Sequence, residues 1–259
     1  MFQTLLGAAK KNLYVIEKAD GGYPHTQLVI GKMPYYPKVQ CDLLGALVDL
    51  KKTLPIGLIG TEGHPPYLSS LHWVDFERAI VDEAYMQGLL IKTIRAVRIF
   101  GHMFSDVKIE DVENADLRKV ARAIDRKCHD LHKLMRESDG LEHLSASQRE
   151  EYDYWFSLLK NIVLRDRSSW MVRNLLEAQK RLGTKEAILL CGASHTPLRE
   201  EHRPYSVVTA LQSLRVNYIV AVVPSAVSPL YRKDAWDFWG RSGISELRPY
   251  DDLTKEEWS

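Results

Sequence analysis

The sequence has few cysteines, and no two of its three are close together: Cys41, Cys128 and Cys191 are odd in number, widely spaced and outside any paired metal spacing. That excludes a disulfide framework and a zinc knuckle, and it fits a reducing compartment. An excess of charge of either sign is also missing. With 35 basic against 34 acidic residues, the net charge of +1 provides no broad field for a polyanion, so nucleic acid is not expected as a partner. No run approaches the roughly twenty apolar residues that span a bilayer, and no membrane span is expected. The opening "MFQTLLGAAKKNLYVIEKAD" has an apolar patch, but its lysines follow the patch where a secretory leader carries them first. A cytoplasmic protein is the expectation. There is no Walker loop, no spaced glycine triplet after a strand and no strand–Gly-x-Ser-x-Gly elbow. Internal repeats and low-complexity tracts are lacking too.

What is present is an ordinary core-forming composition, 45% hydrophobic over 259 residues, within the range of one domain covering 1–259. Short apolar runs ended by Gly or Pro occur at "NLYVIE" (12–17), "PIGLIG" (55–60), "AILLCG" (187–192) and "NYIVAVVP" (217–224), with a weaker candidate at "AVRIFG" (96–101) that could equally close the preceding helix. These read as buried strands of a parallel sheet. Helical patterns lie between them at "KVQCDLLGALVDLKK", "WVDFERAIVDEAYMQGLLIKTI" and "PYSVVTALQSL". The alternation predicts an α/β fold, a mostly parallel sheet with flanking helices.

The middle of the chain differs. Between Glu110 and Leu182 no strand signal appears, while Leu117, Val120, Ala121, Ile124, Cys128, Leu131 and Met135 recur at helical spacing up to a stop at Gly140. Ser147 and Glu150 form a capping-box pattern ahead of a second helical stretch through Tyr152, Phe156, Leu159, Ile162 and Val163, with a stop at Gly183. The expectation is a long helical hairpin inserted at about 108–183, and an irregular tail at about 225–259.

Ligands of open parallel sheets bind beyond the carboxyl ends of the strands, so the residues after each strand are the candidates. "KADGGYPH" carries Asp20, Tyr23 and His25, and "TEGHPPY" carries Glu62 and His64. Gly101 is followed by His102, and "LLCGASHT" ends in His195. Imidazoles and carboxylates on one rim suit general acid–base catalysis or a divalent metal. Cys128, His129 and His132 share a helical face, but Cys128 lies on the apolar stripe and no third ligand is near, so packing is the better reading. In "LRDRSSWMVRNLL", Arg165 and Arg167 are candidates for clamping an anionic group.

The pieces "LYVIEKADGGYPHTQ", "GLIGTEG", "RDRSSWM" with Asn174, and "LLCGASHT" followed by "VNYIVAVVPS" together resemble the Tiki/TraB superfamily, which includes erythromycin esterases and ChaN-like haem-binding proteins. The resemblance implies an α/β fold with a site of a first-strand His, a second-strand Glu, a helical Arg and a late Gly-x-x-His. Glu62 takes the second-strand position and His195 the late one. Identity favours Arg165–Asp166 for the helical position and spacing to Met171 favours Arg167, so both stand. Asp20 occupies the place of the first-strand His, with His25 displaced beyond Tyr23.

The leading expectation is therefore a hydrolase acting on an ester or amide bond of a small-molecule or peptide substrate. His195 and Glu62 would be base or ligand, an Arg would stabilise the oxyanion, and a divalent metal would be held by Asp20, Glu62, His64 and His195. A second reading is a binding protein that holds haem between an imidazole, Tyr23, Tyr67 and Met103. A third is an interaction module with a vestigial site, supported by Asp20 at the place of the first-strand His, and it is the reading that wins if Asp20, Glu62 and His195 lie more than about 10 Å apart, beyond hydrogen-bond reach or shared coordination.

Overall fold

The computed structural model describes residues 2–32, 37–62, 96–138, 140–197 and 200–224. Its centre is a six-stranded sheet in the order β1-β6-β2-β5-β3-β4. The strands are β1 (Tyr14–Ala19), β2 (Thr26–Lys32), β3 (Leu58–Thr61), β4 (Lys108–Asp111), β5 (Glu186–Gly192) and β6 (Asn217–Val222). All neighbours are parallel except β1, which runs antiparallel to β6 at one edge. The expected α/β architecture is thus present.

The faces of the sheet follow from alternation along the strands. Leu28, Ile30, Ile188 and Leu190 point to one side, where they pack with α1 (Phe2–Asn12), α2 (Pro37–Thr53) and α3 (Ala96–Met103). Val29, Ala187, Leu189 and Cys191 point to the other, against α6 (Arg167–Leu182) and α7 (Val207–Ser213). Both faces are covered, which is why the central strands are apolar throughout.

Beyond the sheet, α4 (Ala115–Glu137) and α5 (Ala146–Leu158) form the two arms of a hairpin whose own core includes Ala121, Ile124, Cys128, Tyr152, Phe156 and Leu159. Ser145 caps α5: its hydroxyl accepts from the Gln148 N–H, and the Gln148 side chain accepts from the Ser145 N–H. The capping box therefore lies two residues before the Ser147–Glu150 pattern. From Ala146 to Leu182 the chain is one 37-residue helix, interrupted at Leu159–Asp166 by a π-helical stretch. It ends at Gly183, whose φ of 64° places it in the left-handed region that glycine enters most easily. This one helix packs first on α4 and then on the sheet.

Three sequence expectations are corrected. "AVRIFG", open from sequence between a strand and the close of a helix, is the helix α3, because Ile99 and Phe100 bury against α2 and the sheet as a helical face. "NLYVIE" contributes β1, but as an antiparallel edge. Residues 108–111, expected to open the helical insertion, form the edge strand β4 paired with β3. The strand β2, "TQLVIGK", was not expected at all, although all seven residues are buried at the middle of the sheet. The expected helix at 73–94 and the tail at 225–259 lie outside the described residues.

Candidate acid–base site at the strand ends

Glu62 follows β3 directly, and its N–H donates to the Leu190 carbonyl at 3.0 Å, extending the ladder one residue past the strand. His195 closes the single 3-10 turn Ala193–His195 that follows β5. That turn is fastened by Thr196, whose N–H and hydroxyl both donate to the Ala193 carbonyl, at 3.0 and 2.6 Å. The two side chains meet at the carboxyl ends of adjacent parallel strands, where the imidazole Nε2 lies 3.6 Å from Glu62 Oε1. On its other side, His195 Nδ1 is 2.8 Å from the hydroxyl of Ser168. The Ser168 hydroxyl also lies 3.4 Å from the Tyr205 carbonyl, to which it can donate. Ser168 and His195 are almost wholly buried.

The π-helical stretch delivers the next residues. The Arg167 N–H reaches back five residues to the Ile162 carbonyl, so one extra residue enters the turn just before Arg167 and Ser168 and swings them relative to the α-helical register. Arg167 Nη2 donates to Glu62 Oε1 at 2.6 Å, and its Nε donates to Glu113 Oε1 at 2.7 Å. Arg118 continues the chain, with Nε 2.5 Å from Glu113 Oε2 and Nη2 2.7 Å from Asp111 Oδ2. From the sheet edge inward the order is Asp111, Arg118, Glu113, Arg167, Glu62 and His195.

The second oxygen of Glu62, Oε2, accepts from the Gly192 N–H at 2.6 Å. Lys32 ends β2 opposite Gly192 and is buried. Burial works to raise the Glu62 carboxyl, but His195, then Arg167 and Lys32 outweigh it and hold the group well below the usual carboxylate range. Burial likewise opposes the charge on Arg167, and Glu62 and Glu113 reverse that, holding the guanidinium above its ordinary value. Asp125, on α4, is different: burial pushes its carboxyl up to about 6, with Arg167 and His195 pulling the other way and Glu62 adding to the rise.

Of the residues expected from sequence, Glu62, His195 and Arg167 come together. Arg165 pairs instead with the neighbouring Asp166 at 3.0 Å, and both side chains are exposed. Asp20, Tyr23 and His25 lie at the opposite pole, which corrects their expected convergence on one rim. Because β1 is antiparallel, its last residue Ala19 pairs with Tyr218 near the start of β6, and β2 begins where Thr26 pairs with Asn217. The length of β2, roughly 20 Å at about 3.3 Å per residue, separates this loop from Lys32 and Glu62. The loop has a structural organiser in Asn217, whose Oδ1 accepts from the Gly21 and Tyr23 N–H groups and whose Nδ2 donates to the Tyr23 carbonyl.

His102 falls within α3 rather than after a strand, and its side chain lies outside the described residues, as do His64 and Tyr67. Met103 packs against the main core. The metal set expected from sequence loses Asp20 to the far pole. Among the described residues, no group of three or more His, Cys, Asp or Glu side chains is arranged to hold a metal ion. Cys128 is buried in the hairpin core with its thiol donating to the Trp155 carbonyl at 3.4 Å. Asn174 holds the Val112 carbonyl at 2.9 Å, away from His195.

Sequence reasoning missed Lys32, Glu113, Asp125 and Ser168. Lys32 was hidden with the unread strand β2. Asp125 had a legible signal, for it stands four residues after Ala121 and three before Cys128, a carboxylate inside the apolar stripe of α4.

In comparisons with protein-family models, with curated proteins and with solved structures, nothing matched the chain.

Proposed function

We propose that the chain is a hydrolase of ester or amide bonds in small-molecule or peptide substrates, with His195 as the base that activates water. The observation that carries this reading is the 3.6 Å approach of His195 Nε2 to Glu62 at the ends of β3 and β5, with the other ring nitrogen fixed by Ser168. Nδ1 is held by the Ser168 hydroxyl; in the charged ring Nε2–H faces the Glu62 carboxylate, and in the neutral ring with its hydrogen on Nδ1 it is Nε2 that offers the lone pair. A water there loses its proton to Nε2 as it attacks the substrate carbonyl. Glu62, held ionised, then faces the imidazolium so formed and stabilises it.

Arg167 is a positioning residue in this scheme. Its guanidinium fixes one oxygen of Glu62 while the Gly192 N–H fixes the other, so the carboxylate cannot rotate away from the ring. Buried ion pairs are weak stabilisers compared with apolar packing, so a chain of six charged or titratable groups at the strand ends argues for function. The Tiki/TraB resemblance, which assigns the Glu and the late His to one site, points the same way. The loss of Asp20 from the rim favours the reading as an interaction module. Hydrolysis is preferred because Glu62 and His195 remain paired and are held by Ser168 and Arg167.

The test is hydrolysis of a panel of acyl esters and anilides by the purified protein and by His195→Ala. Turnover that disappears in the variant while its thermal unfolding stays cooperative supports the reading. Full activity without the imidazole overturns it.

A further inference from the structure

Glu113 reaches the site from the strand end next to that of Glu62. β3 and β4 are parallel with Thr61 opposite Asp111, and the Val112 N–H donates to the Thr61 carbonyl at 3.2 Å, so Glu62 and Glu113 leave adjacent strands within a residue of the same level. The turn that carries Glu113 is fastened twice more: its N–H donates to Asp111 Oδ1 at 3.0 Å, and Asn174 on α6 holds the Val112 carbonyl. The Glu113 side chain is only 2% exposed. Its Oε1 accepts from both Nε and Nη2 of Arg167, at 2.7 and 2.5 Å, and its Oε2 accepts from Arg118 Nε at 2.5 Å. Nη2 of the same Arg167 donates to Glu62 Oε1 at 2.6 Å. The guanidinium is thus divided unequally, with two nitrogens on Glu113 and one on Glu62.

We propose that Glu113 is a positioning residue that acts through Arg167, holding its Nε and so leaving Glu62 a single nitrogen of the guanidinium. This rests on the hydrolytic reading above, in which Glu62 has to face His195. An arginine beside one carboxylate readily settles into a parallel two-nitrogen pair with it. Such a pair would take both oxygens of Glu62. Oε2 would leave the Gly192 N–H, and Oε1 would turn away from the imidazole Nε2 that lies 3.6 Å from it. Among the described residues, only Glu113 accepts from Arg167 Nε. Arg118, tied in turn to Asp111 at 2.7 Å, keeps Glu113 from moving with Arg167. Both Glu113 oxygens are taken by arginines, so its effect on the site is exerted through Arg167, and the outer half of the charged chain fixes one orientation of the Glu62 carboxylate.

The experiment compares wild type, Glu113→Gln, Arg167→Lys and the double variant. The first readout is the amide proton of Gly192 in NMR spectra, which a 2.6 Å bond to a carboxylate holds far downfield. In Glu113→Gln it is expected to move upfield as Glu62 turns. Lysine is a point charge with no second nitrogen to redirect, so adding Glu113→Gln to Arg167→Lys is expected to move the signal no further. A Gly192 signal that stays in place in Glu113→Gln, or that moves equally in both backgrounds, overturns the proposal. The second readout is hydrolysis of p-nitrophenyl butyrate by the folded protein. Glu113→Gln is expected to lower kcat about a hundredfold through misplacement of Glu62, with KM nearly unchanged. An unchanged kcat, or a raised KM with kcat kept, overturns the proposal, because a residue acting through Arg167 does not touch substrate. If Glu113→Gln does not fold, Glu113→Asp, which keeps the charge but draws it back from Arg167, is read on the same signals, and a Gly192 proton at its wild-type position overturns the proposal there too. If wild type cleaves no ester or anilide, the hydrolase reading fails, and the Gly192 signal still decides whether Glu113 holds the Glu62 carboxylate. If wild type is active and Glu113→Gln matches it in both readouts, only the role of Glu113 fails.

Discussion

The Gly192 N–H donates to Glu62 Oε2 at 2.6 Å, tying the end of β5 to the residue that follows β3. A backbone donor at a strand end needs a partner when water is kept out, and here the partner is a side chain that is also clamped by Arg167 and faced by His195. The contact makes Glu62 structural and electrostatic at once. Glu62→Ala leaves the Gly192 N–H and part of the Arg167 charge unmatched, and the loss of stability is expected to be about 3–5 kcal/mol, as for other buried pairs broken from one side. Glu62→Gln keeps an acceptor for Gly192 and is expected to lose clearly less stability in denaturant titration while losing as much activity. Equal stability losses for the two variants would contradict the role given to the Gly192 contact.

Ser168 touches only the far nitrogen of His195, so its removal separates orientation from base strength. Ser168→Ala leaves Nδ1 without its partner in a dry site, at a cost of about 1–3 kcal/mol. It is expected to lower kcat by about a hundredfold through misorientation of the ring, with KM little changed. A variant with wild-type kcat would show that Ser168 does not orient the base.

The sheet was legible wherever strands were apolar from end to end. "AILLCG" and "NYIVAVVP" are buried on both faces and announce themselves by composition. β2 did not, because its apolar run of Leu28, Val29 and Ile30 is short and flanked by the polar Thr26, Gln27 and Lys32. Their burial is made tolerable only by distant partners, such as the Gln27 amide donating to Gln179 Oε1 at 3.0 Å and to the Val172 carbonyl. Missing β2 also misplaced the site. With β1 taken as a parallel strand, Asp20 and His25 fell on the rim of Glu62, and strand direction, which no single-strand pattern encodes, sends them to the other pole. Glu62, His195 and Arg167 were legible because each stands beside a strong local marker: a strand-ending Gly, a second one, and an Arg-Asp-Arg run on a helix. Ser168 carried no such marker, since a lone serine on a helix is common for other reasons.

Gly31 tests how tightly the His195 turn is held. A Cβ built there would lie 2.8 Å from Thr196 Cγ2, 3.0 Å from Val222 Cγ1 and 3.2 Å from the Ala193 Cα. The last is backbone of the turn that carries His195, and it cannot yield without moving the imidazole. Gly31→Ala is expected to cost about 1–3 kcal/mol from overpacking, seen as a lower Tm, and to reduce activity by more than the remaining folded fraction explains. Unchanged activity at full folding would show that the turn tolerates displacement.

Stability against pH should be squeezed from both sides by two carboxyl groups displaced in opposite directions. Glu62 lies below its unfolded value, so its contribution is present above about pH 4.3 and is lost as the pH falls towards its lower folded value. Asp125 lies above its unfolded value, so its contribution is complete below about pH 3.9 and is lost as the pH rises through about 6. Replacing Asp125 by Asn removes the penalty for ionising a buried carboxyl. The variant is expected to gain on the order of 2 kcal/mol over wild type at pH 8 and to lose that advantage below pH 4, a difference set by a displacement of about two units. Glu62→Gln should instead flatten the acid limb, with its deficit shrinking as the pH drops below 4. Parallel unfolding curves for wild type and Asp125→Asn from pH 4 to pH 8 would mean that the Asp125 carboxyl is not raised by folding.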